Sequence, residues 1–476
     1  MSFHGDESDW LTMGVRAINL VFAGRLADPV WLENGLEHGA FDLAQAPVTK
    51  YLLGVTLRLF GIQSGDWIYW YSGRYDIPPD YVLVPGRAVI ALTGYLTLFV
   101  IYFLGRELKD HKAGLVAVLL LGFHPLWLIC SRRAMSDTPA ILFSTLAVLF
   151  LLRGLKRKSS GSVLPFLLSG VALGLAIDTK YNAIFLGFVL LSYMCARIAI
   201  CQHVGDSTAL SSIRKVALFV LASVATTVLI NPVLYPNPFT QFLKIVSIWQ
   251  SSSFFSSSIE ASGSLVMLAG SFHILIFPGV SIVSVLWPSY PWSWDSPGTL
   301  TTATASLFFM IGIVIIGIRT IRDARRMAMG APALILLWFF GEVLFTSVTV
   351  RIMFERYFLP ILPPMVLIAA LGLASLLDSA RVRVRTCYQA ARKLSVVLFL
   401  VSSVVTLLAF YPELYERAWS YPGNIPQFCT IQQAIARPVG QVAILLFVFA
   451  VACTILVLRL PLEVASTTHT ARENAT

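Results

Sequence analysis

The sequence predicts an all-α polytopic membrane protein, a multi-span helical bundle with short helices beside the membrane. Charged residues make up only 13% of the 476 residues and apolar ones 57%, whereas soluble domains carry roughly 25% and 45–50%. Apolar runs of about 20 residues, the length that crosses a bilayer, recur along the chain. Lysine and arginine cluster in alternate connections between these runs, which is the positive-inside pattern of membrane proteins.

The net charge of +10 is spread over these short connections and does not lie on one solvated face. It therefore indicates membrane orientation, and we expect no nucleic-acid partner. The six cysteines are scattered without metal or redox spacing, so we expect buried free thiols and predict no metal ligand among them.

Eleven segments are predicted to span the membrane. They lie near 87–106, 113–130, 138–153, 162–178, 183–200, 215–231, 300–319, 331–349, 357–377, 394–410 and 440–459.

The connections fix an orientation for these spans. "RELKDHK" (106–112), "RGLKRK" (153–158), "RTIRDARR" (319–326) and the segment 381–393 are basic, whereas "NPVLYPNPF" (231–239) is not. Placing every basic connection in the cytoplasm leaves the first segment outside. The predicted regions are an extracytoplasmic first loop (1–86), a six-span core (87–231), an extracytoplasmic or re-entrant segment (232–299), a five-span part (300–460) and a cytoplasmic tail (461–476).

The first loop is net acidic in a basic protein, with ten acids against five bases. Three of the acids stand together in "HGDESDW" (4–10). The apolar stretches 11–24 and 51–60 are too short to span, so we interpret them as helices on the membrane surface. A longer run, 264–287, is broken by Pro278 and is interpreted as re-entrant; His273 within it is more simply structural than a metal ligand.

Carboxylates just outside a membrane suit a reaction on a substrate that is partly lipid. A carboxylate can take the proton from an attacking hydroxyl, and cations can stabilise a departing phosphate. The candidate cations on this face are Lys50, Arg132, Arg133, Lys180 and Arg356. Simpler roles stay open: the arginines and Lys180 can anchor the helices at the headgroups, and Asp137 can cap the helix that follows it.

Six stretches together resemble a known family. They are "HGDESDW" (4–10) with "FDLAQAPVTKYLLGVTLRLFG" (41–61), "RAVIALTGYLTLFVIYFLGREL" (87–108), "SRRAMSDTP" (131–139), "GLAIDTKYNA" (174–183) and "FERYFLPILPP" (354–364). In this order they resemble the polyprenyl-phosphate-dependent glycosyltransferases of the GT-C fold, in the superfamily of protein O-mannosyltransferases and aminoarabinose transferases.

The resemblance implies roles for particular residues. Asp6 and Glu7 match the acidic pair of the family's first loop, in which the aspartate is the catalytic base. Lys50 matches the lysine that ends an H-P-P-x-G-K stretch, although this chain reads "QAPVTK". The remaining matches are Asp137 at the outer start of a helix and Arg356 with Tyr357 in an R-Y-x-x-P element. From their place on the same face, we expect Arg132 to bind the donor phosphate and Lys180 to have a supporting role.

In this family a spanning helix normally precedes the acidic pair, which here begins five residues after Met1. We therefore expect in-frame sequence upstream of Met1 to encode a further apolar span.

These observations predict an inverting membrane glycosyltransferase of the cell membrane with an extracytoplasmic site. Its donor would be a polyprenyl-phosphate-linked sugar and its acceptor a hydroxyl of a lipid, glycan or protein; no cofactor is required, although a divalent metal is possible. The alternative is a transporter or lipid-linked sugar flippase that uses Glu342, a carboxylate in the middle of a predicted span. Acids concentrated at the outer rim favour the enzyme, because transporters place their sites near the midplane.

Overall fold

The computed structural model describes residues 5–32, 45–65, 67, 78–156, 162–203, 209–251, 299–325, 329–349 and 355–378. The predicted spans 394–410 and 440–459, the segment 264–287 and both His273 and Pro278 lie outside the described residues.

The described residues form helices joined by short turns. In chain order the helices are α1 (Gly5–Phe22), α2 (Pro47–Leu59), α3 (Asp80–Leu108), α4 (His111–Gly122), α5 (Pro125–Cys130), α6 (Asp137–Lys156), α7 (Leu164–Ile177), α8 (Ile184–His203), α9 (Ala209–Ile230), α10 (Pro238–Ser251), α11 (Thr299–Arg325), α12 (Ala331–Thr349) and α13 (Leu362–Asp378). Within this part of the chain, five helices are long and apolar enough to cross a membrane. The all-α, multi-pass prediction is confirmed.

Two predicted spans differ from the observed helices, and proline explains both. The span predicted over 113–130 divides into α4 and α5, because Pro125 disfavours helical backbone at His124. The span predicted over 357–377 begins as a 3₁₀ helix, Glu355–Ile361, and becomes α-helical only as α13. Pro360 lies inside that 3₁₀ helix, where the missing N–H removes a regular α-helical hydrogen bond.

The ion pairs and the order of the helices define two ends of the bundle. At one end, Arg153 and Lys156 of α6 contact Glu107 at the end of α3; we call this the basic end. At the opposite end lie the start of α1, the start of α6 and the turn after α7, with Glu7, Asp137 and Asp178. We call this the acidic end. The neighbours α6 and α7, and α7 and α9, pack closely between the two ends.

The helices α1 and α2 were predicted as short surface helices and are confirmed as helices, although each begins earlier than the apolar pattern indicated. They pack directly on each other. The closest approach is at Gly54, where an added Cβ would lie 2.2 Å from the carbonyl oxygen of Gly14 and 2.8 Å from Cβ of Ile18. The missing side chain of Gly54 is therefore what allows the two backbones to touch.

We expect Gly54→Ala to lower the melting temperature of the detergent-solubilised protein. The methyl group must push α1 away from α2, and overpacking of this kind costs about 1–3 kcal/mol. The matched control is Gly317→Ala in α11, because a Cβ there meets no atom of the described residues within 4 Å. Alanine favours a helix over glycine by about 1 kcal/mol, so the control should melt at the wild-type temperature or slightly above it. Equal melting of the two variants would contradict the close α1–α2 contact.

Candidate functional site

The acidic pair occupies the first turn of α1, where the positive end of the helix dipole favours carboxylates. The side chain of Glu7 is fully buried and that of Asp6 is partly exposed. Arg87 of α3 donates from Nη2 to Oε2 of Glu7 at 2.6 Å, and its Nε lies 3.2 Å from both carboxylate oxygens. The backbone N–H of Ala134 donates to Oε1 of Glu7 at 3.0 Å. Glu7 therefore ties α1 to α3 and to the segment that carries Arg132.

Arg87 was missed from sequence. It stands at the first residue of a predicted span, where an arginine is commonly an interfacial anchor, and its partner lies 80 residues earlier in the chain. Its side chain is only 12% exposed. A charged residue that is buried at the start of an apolar helix needs a partner of opposite charge. The position of Arg87 could therefore have indicated an ion pair with a distant acid.

Asp137 and Lys180 were both predicted as supporting residues, and the structure joins them. Asp137 begins α6, Lys180 follows the end of α7, and Nζ of Lys180 donates to Oδ1 of Asp137 at 2.5 Å. The aspartate is buried and the lysine about one-fifth exposed. The neighbouring Thr138 hydroxyl donates to the carbonyl of Cys130 at 3.1 Å, which fixes the turn between α5 and α6.

The predicted phosphate ligands lie at the same end. Lys50 in α2 is buried, and its Nζ donates to the carbonyl of Gln45 at 2.8 Å. Arg132 is partly exposed, two residues before the Ala134 N–H that binds Glu7. The 3₁₀ helix that carries Arg356 and Tyr357 contacts α5 and α6, so this helix lies near the same turn.

Asp178 joins the segments around Lys180 and was not singled out from sequence. Its Oδ1 accepts a hydrogen bond from Nδ2 of Asn231 at 3.2 Å, and its backbone carbonyl accepts from the N–H of Val48 at 2.8 Å. Burial raises the pKa of the Asp178 carboxyl well above its usual range, and the Asn231 hydrogen bond opposes this rise. The residue lies in the turn beyond the last residue of α7.

Glu342, the residue of the transporter alternative, is buried inside α12, remote in sequence from the turns of the acidic end. Among the described residues, no group of three or more histidine, cysteine, aspartate and glutamate side chains could hold a metal ion. The expectation that no cofactor is required stays a prediction.

Part of the acidic end lies in a range of the chain that is similar to a known family. Residues 35–246 match the model of the dolichyl-phosphate-mannose-protein mannosyltransferase family. This match agrees with the resemblance to the polyprenyl-phosphate-dependent glycosyltransferases that was found from sequence. The matched range contains Lys50, Arg132, Asp137 and Lys180, whereas Asp6 lies before it. No curated protein matches the chain significantly in sequence.

Solved structures confirm the GT-C fold. The oligosaccharyltransferase of Archaeoglobus fulgidus in the apo form superposes with a TM-score of 0.55 at 15% identity, covering 94% of this chain and 56% of that one. The archaeal oligosaccharyltransferase AglB of the same organism, in complex with an inhibitory peptide and a dolichol-phosphate, gives 0.51 at 14% identity, covering 92% and 55%. ArnT from Cupriavidus metallidurans, bound to undecaprenyl phosphate, gives 0.47 at 16% identity, covering 94% and 72%.

Proposed function

We propose that the protein transfers a monosaccharide from a polyprenyl-phosphate donor to a hydroxyl acceptor with inversion, and that Asp6 is the base. One observation carries the assignment of roles within the acidic pair. Glu7 is fully buried and bound by Arg87 and by the N–H of Ala134, whereas the adjacent Asp6 is partly exposed on the same helical turn. Of the two carboxylates, Asp6 can reach a substrate, and Glu7 positions the turn that carries it.

The reaction follows from this arrangement. The acceptor oxygen attacks the anomeric carbon and loses its proton to Asp6 as the new glycosidic bond forms. The bond from the anomeric carbon to the phosphate oxygen breaks on the opposite face of the sugar, which inverts the configuration. The electron pair leaves with the polyprenyl phosphate, so negative charge grows there and cations stabilise it.

We assign the phosphate to the cations of the acidic end: Lys50, Arg132 and Arg356, with Tyr357 beside them. Lys180 is held by Asp137 and supports this set. The structure of AglB in complex with dolichol-phosphate supports a lipid-phosphate donor for a chain of this fold. In this proposal the protein cations make a bound metal unnecessary, so a chelator should leave transfer unchanged.

The proposal is tested with the protein in lipid nanodiscs and a radiolabelled polyprenyl-phosphate monosaccharide. Extracted lipid, cell-wall glycan and protein fractions serve as separate acceptors, because the hydroxyl can belong to any of them. Label should move into one fraction and should depend on Asp6. A folded protein that moves intact donor across the bilayer, with no transfer to any fraction, would favour the transporter.

We also propose that the acidic end faces outward from the cell membrane, as the basic connections indicate. In a cysteine-free background, Pro236→Cys should react with an impermeant thiol reagent added to intact cells, and His203→Cys should react only after permeabilisation. Both positions are exposed in the structure. His203 is the last residue of α8, whereas Pro236 follows the end of α9. Labelling of both residues in intact cells would contradict this orientation.

A further inference from the structure

Asp178 is a fully buried carboxyl at the point where three segments of the acidic end meet. Its backbone carbonyl holds the first turn of α2 through Val48, and its side chain holds the turn after α9 through Asn231. Nδ2 of Asn231 also lies 3.0 Å from the hydroxyl of Tyr181. Both lysines assigned above stand two residues from these contacts, Lys50 after Val48 and Lys180 after Asp178 itself.

The surroundings of Asp178 suit a neutral acid. Asn231 supplies one amide donor to Oδ1, and Oδ2 has no hydrogen-bond partner among the described residues although it is buried. A buried carboxylate needs several donors or a cation to offset its lost hydration, and one neutral amide does not provide this. A protonated carboxyl carries no charge and still accepts the Asn231 hydrogen bond.

The turn itself transmits the position of Asp178 to Lys180. The backbone N–H groups of Thr179 and Lys180 both donate to the carbonyl of Ala176, at 3.1 and 2.9 Å, so the turn is short and tightly bonded. A shift of Asp178 therefore moves the Lys180 backbone and the ammonium that reaches Asp137. The same shift moves the backbone carbonyl to which Val48 donates, and so loosens the turn of α2 that carries Lys50.

We propose that Asp178 is a positioning residue of the transfer reaction, a neutral buried acid that holds Lys180 and Lys50 in register for the donor phosphate. The inference rests on the proposed function, since it concerns the same donor site. It predicts that the role of Asp178 depends on hydrogen bonding and shape and not on its charge.

Steady-state transfer assays with three variants test this. Asp178→Ala removes the acceptor for Asn231 and should raise the KM for the donor about tenfold, the effect of leaving one buried polar group unsatisfied, with a smaller change in kcat. Asp178→Asn keeps the oxygen acceptor without charge and should stay within about twofold of wild type. The matched control is Thr179→Ala, because among the described residues its hydroxyl bonds to the carbonyl of Leu175 in its own turn and to no other segment. The donor KM of this variant should be unchanged.

Asn231→Ala provides a second route if Asp178→Ala does not fold, because it removes the donor to Asp178 and should raise the donor KM in the same way. Thermal melts establish which variants are folded. A wild-type donor KM in folded Asp178→Ala or Asn231→Ala overturns the inference. An equal loss in Asp178→Asn and Asp178→Ala also overturns it, because the charge would then be the property that matters.

The result for Asp6 separates the two proposals. If Asp6→Asn is inactive and Asp178→Ala has a wild-type KM, the proposed function stands and the positioning role of Asp178 fails. If Asp6→Asn transfers sugar normally, the base assignment fails whatever the Asp178 variants show.

Discussion

Asp6→Asn should slow sugar transfer by about 10²–10⁴-fold, the usual loss when general-base help is removed. Asparagine keeps the shape of the side chain and its place on the first turn of α1, but it cannot take the proton of the acceptor hydroxyl. Binding of the donor should survive, because the assigned phosphate ligands are untouched. The measurement is single-turnover transfer from a radiolabelled donor, with donor binding followed separately by equilibrium titration.

Asp9→Asn is the matched control for Asp6, since Asp9 lies on the same helix one turn later and is also partly exposed. Its transfer rate should stay within a few fold of wild type.

Lys50→Ala and Arg356→Ala should instead weaken donor binding as well as turnover, and Glu342→Gln should have little effect. A wild-type rate for Asp6→Asn together with loss of function in Glu342→Gln would move the transporter ahead of the enzyme.

Hydropathy predicted the helical bundle well because a helix that crosses a bilayer needs a long apolar segment. Successive spans cross in opposite directions, so the connections between them lie alternately on the two sides of the membrane. The predicted span 331–349 coincides with the bounds of α12. The same alternation placed Asp137 and Lys180 at one end of the bundle, where the structure has both. Their direct contact was not predicted, because it depends on how far each helix extends beyond the membrane and on which way each side chain turns.

The buried interaction partners were harder to predict because their contacts depend on tertiary packing. Arg87 and Glu7 are separated by 80 residues, and only the packing of α1 against α3 brings them together. Asp178 ends an apolar run and resembles an ordinary helix-terminal residue until Val48 and Asn231 are placed against it. The break after α4, by contrast, could have been predicted locally from Pro125. The continuous apolar pattern of 113–130 favoured a single span instead.

Breaking the Glu7–Arg87 pair should produce the largest loss of stability. Removing one partner of a buried ion pair leaves an uncompensated charge and costs about 3–5 kcal/mol. Glu7→Gln removes the carboxylate that Arg87 binds at 2.6 Å, although Gln can still accept from the N–H of Ala134. Arg87→Met leaves a fully buried carboxylate with that single N–H. Each variant should therefore melt well below wild type in detergent.

A pair on the following loop whose arginine is largely exposed provides the control. Arg25 and Asp28 form an ion pair in which the arginine is 61% exposed. Exposed pairs contribute at most about 1 kcal/mol, so Asp28→Asn should change the melting temperature little.

The double variant Glu7→Gln with Arg87→Met separates a role of charge pairing from a role of packing. It buries no charge, and a neutral pair of similar volume is often as stable as the ion pair it replaces. We therefore expect it to melt above either single variant, with a coupling of about 0.5–3 kcal/mol between the two positions. A double variant that melts lower than both singles would mean that each side chain contributes independently. Because Asp6 precedes Glu7 on the same turn, recovery of stability without recovery of transfer would show that the ion pair also orients the base.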